Sequence, residues 1–181
     1  MTTTKSNTPA EDGAHTVRSV LMVCMGNICR SPTAEVVLRH RLQRAGLADR
    51  ITVDSAGTHA GHSGEPPDER STAHAGRRGY DLRGLRARRV TAADFAAFDL
   101  VVAMDADNLE ALQRLCPPGQ QQRLVRLLDY APGSRQRDVP DPYYGGAGGF
   151  ERVLDLVERG CDGLLQYLQA QQGADLGRAG S

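Results

Sequence analysis

The sequence predicts an α/β fold: three layers, with a central four-stranded parallel sheet flanked by helices. Three observations carry this. Short apolar runs alternate with longer segments of helical spacing, the pattern of a mostly parallel sheet with helical crossovers. The first apolar run leads directly into VCMGNICRSP (residues 23–32), a loop ending in the Ser-Pro start of a helix. With 181 residues the chain suits one domain and is long enough to bury a core.

The elements follow in order. Residues 18–23 (RSVLMV) read as a buried strand. Residues 31–45 have helical spacing, with Ala34, Val37, Leu38, Leu42 and Ala45 on one face and Gly46 as the residue that ends it. A second strand over 50–56 (RITVDSA) runs into a Gly-rich loop, and 68–78 is a weaker helix. Thr91 with Asp94 resembles a capping pair opening a short helix. Residues 98–104 (FDLVVAM) give the third strand, 107–116 a helix stopped by Pro117-Pro118, and 123–128 the fourth strand. The Pro- and Gly-rich stretch 129–149 reads as a long loop. Phe150, Val153, Leu154, Val157, Cys161, Leu164, Leu165 and Leu168 then keep a 3.6-residue period, although Gly160 and Gly163 weaken that helix.

The totals bound what the chain does. Lys+Arg and Asp+Glu are both 22, and no basic cluster with interleaved aromatics occurs, so nucleic acid is not an expected partner. The basic run RGLRARR (83–89) reads as a solvated face or as a docking patch for an acidic partner. No apolar run approaches membrane-spanning length. Residues 1–17 lack the apolar stretch of a secretory signal and are expected to form a disordered tail, with a domain over 18–170 and a flexible tail over 171–181. Cys24, Cys29, Cys116 and Cys161 show neither scaffold spacing nor a CxxC pair. They are expected as free thiols in a reducing cytoplasm, without zinc.

The loop after the first strand holds the chemistry. It lies at a helix N-terminus, where unpaired backbone N–H groups make an anion site. Gly26 and Asn27 best tolerate the left-handed backbone that curling around an anion requires. Arg30 adds a planar fork for two phosphate oxygens. Cys24 opens this nest, and a thiol facing a helix N-terminus and a guanidinium is expected to ionise to the thiolate. A thiolate beside a bound tetrahedral anion is set for attack on phosphorus, so this is read as a phosphate-binding loop. The Walker loop is excluded because no Gly-Lys pair is present. The oxygen leaving phosphorus needs a proton, and Asp141 in DPYYG (141–145) is the candidate acid: Pro142 holds it extended, and Tyr143 and Tyr144 can flank an aromatic substrate. Spacing alone leaves an ordinary turn aspartate equally open.

VCMGNICRSP and DPYYG, in this order and about 110 residues apart, resemble the low-molecular-weight protein tyrosine phosphatases. The resemblance runs from about Ser19 to Leu168 and includes VDSAGT (53–58), EPPDERS (65–71), TAADF (91–95) and MDADN (104–108). It implies Cys24 as the nucleophile that forms a phosphocysteine and Arg30 as the group holding phosphate and transition state. The loop Met25, Gly26, Asn27, Ile28, Cys29, Arg30 and Ser31 would bind phosphate. Asn27 would hold the loop's shape, supported by Ser55. Ser31 would hydrogen-bond the Cys24 sulfur, and Asp141 would serve as general acid and then base. Ile28, Tyr143 and Tyr144 would wall the substrate ring. Cys29 would guard Cys24 through a reversible disulfide. No metal or other cofactor is implied. The implied substrate is a phosphotyrosine-containing protein, with a tyrosine kinase of bacterial exopolysaccharide export as one such partner, acted on by a monomer or weak dimer.

Two positions depart from that pattern. Many members carry an aromatic residue on the pocket loop where this chain has Gly61. One wall is then missing, or His59 or His62 supplies it, solvent exposure being the plainer reading of both histidines. Some members carry a histidine before ARR or ARQ where this chain has Leu85. Sister activities fit less well. Arsenate reductases carry further redox cysteines in a loop, whereas Cys116 and Cys161 fall on predicted helices and suit a core. Protein-arginine phosphatases carry threonine at the place of Ile28, whose bulk suits a flat phenyl ring. A non-catalytic phosphate-binding module would have lost Cys24 or Asp141, and both are present.

Overall fold

A computed structural model describes residues 15–143 and 145–180. Its four strands are β1 (Ser19–Cys24), β2 (Thr52–Gly57), β3 (Leu100–Ala103) and β4 (Leu124–Arg126), all paired parallel in the order β2-β1-β3-β4. Because β1 is flanked by β2 on one side and β3 on the other, its carboxyl end lies where the strand order reverses, the place at which such sheets leave a crevice. Cys24 is the last residue of β1, level with Gly57 at the end of β2.

The period-two alternation of β1 sorts its side chains into two cores. Val20, Met22 and Cys24 join Val53, Leu100 and Val102 under α1 (Arg30–Arg44) and α5 (Ala147–Ala179). Leu21 and Val23 face the other way, with Ala56, Val101 and Ala103, and meet Phe95 of α3 (Asp94–Ala97) and Leu112 of α4 (Ala106–Leu115). A strand buried on both faces reads as one unbroken apolar run. The remaining helix, α2 (Glu69–Arg77), starts at Asp68, whose side chain accepts from the N–H groups of Arg70 and Ser71. The Thr91–Asp94 pair forms only in part: the Asp94 carboxylate accepts from the Thr91 N–H at 2.7 Å, but α3 follows Ala93 and has no side-chain cap.

Three boundaries differ from expectation. β4 stops at Arg126, and Leu127–Tyr130 turn into a 3₁₀ segment that buries Leu127 and Leu128. The last helix begins three residues earlier than its apolar period and continues to Ala179, so residues 171–179 are helical rather than tail. Packing against the start of the domain explains this. The Val17 N–H donates to Gln171 Oε1 at 3.2 Å and Gln172 Nε2 donates to the Val17 carbonyl at 3.3 Å. Val17 itself, expected in the N-terminal tail, is buried. Residues 1–14 of that tail lie outside the described residues.

Gly160 and Gly163 do more than weaken α5. A Cβ at Gly160 would stand 2.6 Å from Leu127 Cγ, and one at Gly163 only 1.8 Å from the Tyr130 carbonyl oxygen. The helix lacks side chains there so that the 3₁₀ segment can lie directly on it, which fixes where the following loop, residues 131–146, departs.

Candidate active site

The loop between β1 and α1 wraps the helix N-terminus. Asn27 takes φ 57, the one left-handed non-glycine residue among those described. Gly26 does not take a positive φ, contrary to expectation. Its missing side chain instead leaves room for His62, whose Cδ2 would stand 3.0 Å from a Cβ at this position. The loop is pinned from below. The Thr58 N–H donates to the Cys24 carbonyl at 2.9 Å and the His59 N–H to the Met25 carbonyl at 3.0 Å. Gly57 permits this approach, since a Cβ there would lie 2.7 Å from the Met25 carbonyl oxygen.

A buried chain of hydrogen bonds runs from the thiol into the fold. Cys24 Sγ lies 3.0 Å from Ser31 Oγ. Asn27 Nδ2 donates to Ser31 Oγ at 2.8 Å and to Ser55 Oγ at 2.9 Å, while Asn27 Oδ1 accepts from the Arg88 N–H at 3.0 Å. Ser55 Oγ donates to Glu35 Oε1 at 2.6 Å, and Arg39 pairs with the other Glu35 oxygen at 2.5 Å. Glu35, Arg88 and Arg39 went unread in the sequence. Glu35 carried a signal, because it lies four residues after Ser31 on the buried face of α1 and is 2% exposed. Arg88 carried none, because its contact is made by a backbone N–H sixty-one positions away. Glu35 and the Arg88 N–H complete the network around Asn27 and Ser55 with Leu85 in place of the histidine that some members carry.

Arg30 is 3% exposed and held from two sides. Its Nη1 donates to Asp105 Oδ2 at 2.5 Å and to the Val139 carbonyl at 3.0 Å, and its Nη2 stands 3.7 Å from Asp141 Oδ2. Burial alone would ease the proton off this guanidinium, but the charges of Cys24, Asp105 and Asp141 outweigh it and keep it protonated. Asp105 was legible only as part of MDADN. It follows β3 by two residues and caps α4, accepting from the Asn108 N–H at 2.7 Å. Burial pushes the Cys29 thiol up to about 12, although a hydrogen bond with Ser71 opposes it. Cys29 therefore stays protonated, packed with Ile28, Ala87 and Phe150.

These groups open onto one cavity of about 360 Å³, lined among others by Cys24, Ile28, Arg30, His62, Asp141 and Tyr143. The Tyr143 N–H donates to Asp141 Oδ1 at 3.0 Å, bending the loop so that both face the cavity. Arg70 braces that wall. Its guanidinium stands 5.4 Å from the Tyr143 ring centre and 4.8 Å from that of Phe150, and it donates to the Tyr143 carbonyl at 3.1 Å. Gly61 lines the cavity with nothing within 4 Å of where its Cβ would be, and the His62 ring stands across from Tyr143 at 6.2 Å. His59 lines the cavity too and is exposed. Tyr144 lies outside the described residues. Cys116 and Cys161 sit in separate apolar clusters on opposite faces of the sheet.

Comparison with known proteins agrees with this geometry. Residues 19–174 match the model of the family described as low molecular weight phosphotyrosine protein phosphatase. A putative low molecular weight protein-tyrosine-phosphatase of Synechocystis is 47% identical over 150 residues, covering 82% of this chain and 95% of that protein. The solved structure of YfkJ from Bacillus subtilis superposes with a TM-score of 0.81 at 42% identity, over 88% of this chain and 99% of the other. A protein tyrosine phosphatase of Entamoeba histolytica, crystallised with Hepes in its active site, gives 0.83 at 39% identity, over 86% and 99%. Since these relatives span bacteria and a eukaryote, likeness does not fix the source of this chain. A cysteine and an arginine joined by one loop at a helix N-terminus, an aspartate brought to the same cavity, and a match over most of the sequence lead to one conclusion: the chain belongs to the low molecular weight phosphotyrosine protein phosphatase family.

Proposed function

We propose that this chain hydrolyses phosphotyrosine on proteins in two steps. The Cys24 thiolate attacks phosphorus while the bond to the tyrosyl oxygen breaks and Asp141 gives that oxygen its proton. Water then attacks the phosphocysteine, Asp141 takes the water's proton, and inorganic phosphate leaves with Cys24 again a thiolate. Arg30 and the N–H groups of residues 25–31 stabilise the charge spread over the three equatorial oxygens. Ser31 donates to the departing sulfur, Asn27 with Ser55 keeps the loop in its left-handed shape, and Ile28 and Tyr143 face the substrate ring. If peroxide converts Cys24 to its sulfenic acid, the Cys29 thiol condenses with it, releasing water and leaving a reducible disulfide.

The observation that carries the reading is the convergence of Cys24, Arg30 and Asp141 on one cavity, with Asp141 3.7 Å from the guanidinium that would hold the phosphate. The reading includes a cytoplasmic enzyme, a monomer or weak dimer, and a phosphotyrosine-bearing protein as partner, a tyrosine kinase of exopolysaccharide export being one such protein. Four free cysteines support a reducing compartment. Among the described residues no helix is long and apolar enough to cross a membrane.

The test is steady-state hydrolysis of p-nitrophenyl phosphate by wild type and Cys24→Ser, without metal and with reductant. Turnover by wild type and none by the variant, which should still bind phosphate, is the expected result. Turnover by the variant would remove Cys24 from its role, and an inactive wild type would overturn the reading. Phosphotyrosine against phosphoarginine peptides then separates the sister activities.

A further inference from the structure

A second groove, of about 330 Å³, lies on the far side of His59, which lines both it and the active-site cavity. Thr58, His59, Arg89, Ala111, Arg114 and Leu115 line it. Its floor is tied directly to the nucleophile loop, because the N–H groups of Thr58 and His59 are those that bond Cys24 and Met25.

The lining is cationic without a balancing carboxylate. In the basic run 83–89, Arg83 is paired with Asp81 and Arg88 with Asp54 and Asp94. Arg89 is exposed and has no ion pair among the described residues. Its backbone is fixed all the same, because residue 89 bridges to Gly57 at the end of β2 and the Val90 N–H donates to the Gly57 carbonyl at 2.8 Å. Among the described residues Arg114 pairs only with Glu110, one turn back on α4, and at 73% and 62% exposure that pair is weak and easily exchanged. Leu115, 39% exposed, adds an apolar contact. Other grooves differ: one sets Asp49 and Asp175 against Arg18 and Arg50, another Asp81 against Arg83.

We propose that this groove binds acidic side chains flanking the phosphotyrosine of the substrate, with Arg89 as the principal cation and Arg114 as the second. The proposal rests on the phosphatase reading above. It makes the basic run a specificity element through Arg89, while Arg88 serves the fold. Exposed ion pairs are individually modest and screened by salt, so the preference is kinetic and salt-sensitive.

The experiment compares kcat/KM for two phosphotyrosine peptides that differ only in three flanking Glu or three flanking Gln, placed in turn on either side of the phosphotyrosine, with p-nitrophenyl phosphate as a substrate that has no flank. In wild type at low salt the Glu peptide is preferred about three- to tenfold on one side, and the preference falls toward one in half-molar salt. Arg89→Glu brings the ratio to one or below, and Arg114→Glu lowers it less. Because the readout is a ratio within each variant, a general loss of folded protein does not move it. Equal kcat/KM for Glu and Gln peptides in wild type, or a ratio unchanged in Arg89→Glu, overturns the proposal while leaving the phosphatase intact. No hydrolysis of p-nitrophenyl phosphate by wild type would overturn the phosphatase reading itself, and with it this one.

Discussion

The two halves of the active site are built in opposite ways. On the nucleophile side Asn27, Arg30, Ser31 and Ser55 are all buried, and every one of them is bonded to another group. On the acid side, Asp141 and Tyr143 are exposed and sit in the irregular stretch 131–146. The acid loop is nevertheless pinned two residues earlier. Val139 is fully buried, its N–H donates to the Met104 carbonyl at 2.8 Å, and its carbonyl accepts from Arg30. In the proposed reaction the phosphate meets buried, hydrogen-bonded groups, whereas the proton comes from a group that water and substrate can reach. One arginine registers the two halves against each other.

The largest expected effect tests whether the acid side matters as much as the buried side. Asp141→Ala should lower kcat by about 10²–10⁴-fold on phosphotyrosine, the usual scale for a lost general acid. The loss should be smaller on p-nitrophenyl phosphate, whose phenolate leaves without a proton. A loss under tenfold on both substrates, measured by initial rates, would mean that the proton comes from elsewhere and that the exposed half is only a lid.

Next comes the anchor of the acid loop. With the Tyr130 carbonyl where a Gly163 side chain would be, Gly163→Ala forces the 3₁₀ segment off α5. Overpacking against backbone should cost about 2–3 kcal/mol in urea unfolding, and kcat should fall with Asp141 displaced while phosphate inhibition is kept. Unchanged stability would show that the segment repositions freely, and would weaken the claim that the acid loop is pinned at its start.

That glycine also shows what the sequence could and could not convey. Helix α1, strands β1 and β3 and the nucleophile loop were readable because each is a local pattern: an apolar run, a 3.6-residue period, a loop with Ser-Pro after it. Gly163 looked like a defect in α5, because its purpose is a contact with Tyr130, thirty-three positions away and in a stretch whose sequence reads as the start of a long loop. Asp105 and Val139 escaped for the same reason, since Arg30 reaches them across 75 and 109 positions. Glu35 is the instructive case. An acidic residue at a helix position otherwise occupied by Leu38 and Leu42 asks for a buried partner, and Ser55, already singled out, supplies it.

Ser55→Ala probes the buried side itself. A carboxylate accepts only, so the Ser55 hydroxyl proton goes to Glu35 and the Ser55 oxygen is left to accept from Asn27. The other Asn27 N–H goes to Ser31, whose own proton has two acceptors in reach, Cys24 Sγ at 3.0 Å and the Ala56 carbonyl at 3.4 Å. Removing Ser55 leaves Asn27 one acceptor short at its left-handed position. About a tenfold loss in kcat, near 1.4 kcal/mol, is expected, with slower alkylation of Cys24 by iodoacetate. Full activity would mean that the Ser31 bond alone fixes the loop.

The smallest effect separates structure from chemistry within that buried side. Arg88 gives its backbone N–H to Asn27, and its guanidinium is gripped by Asp94 at 3.0 and 3.1 Å and by Asp54 at 3.0 Å. Burial by itself raises the Asp94 carboxyl, but Arg88 and the Thr91 N–H outweigh it and hold the group below its ordinary 3.8. A carboxyl lowered in the folded state contributes stability that is complete above the unfolded value and is lost as pH falls through the folded one. Asp94→Asn should therefore cost about 1 kcal/mol at neutral pH, the scale of one charge-assisted bond that is partly exposed. The gap to wild type should close as pH drops below about 4. Chemical unfolding at pH 7 and at pH 3 reads both. Since the Arg88 N–H belongs to the backbone, kcat at neutral pH should change by less than about twofold. A larger fall would show that the left-handed turn at Asn27 depends on how the Arg88 side chain is anchored, and that the buried half of the site extends as far as α3.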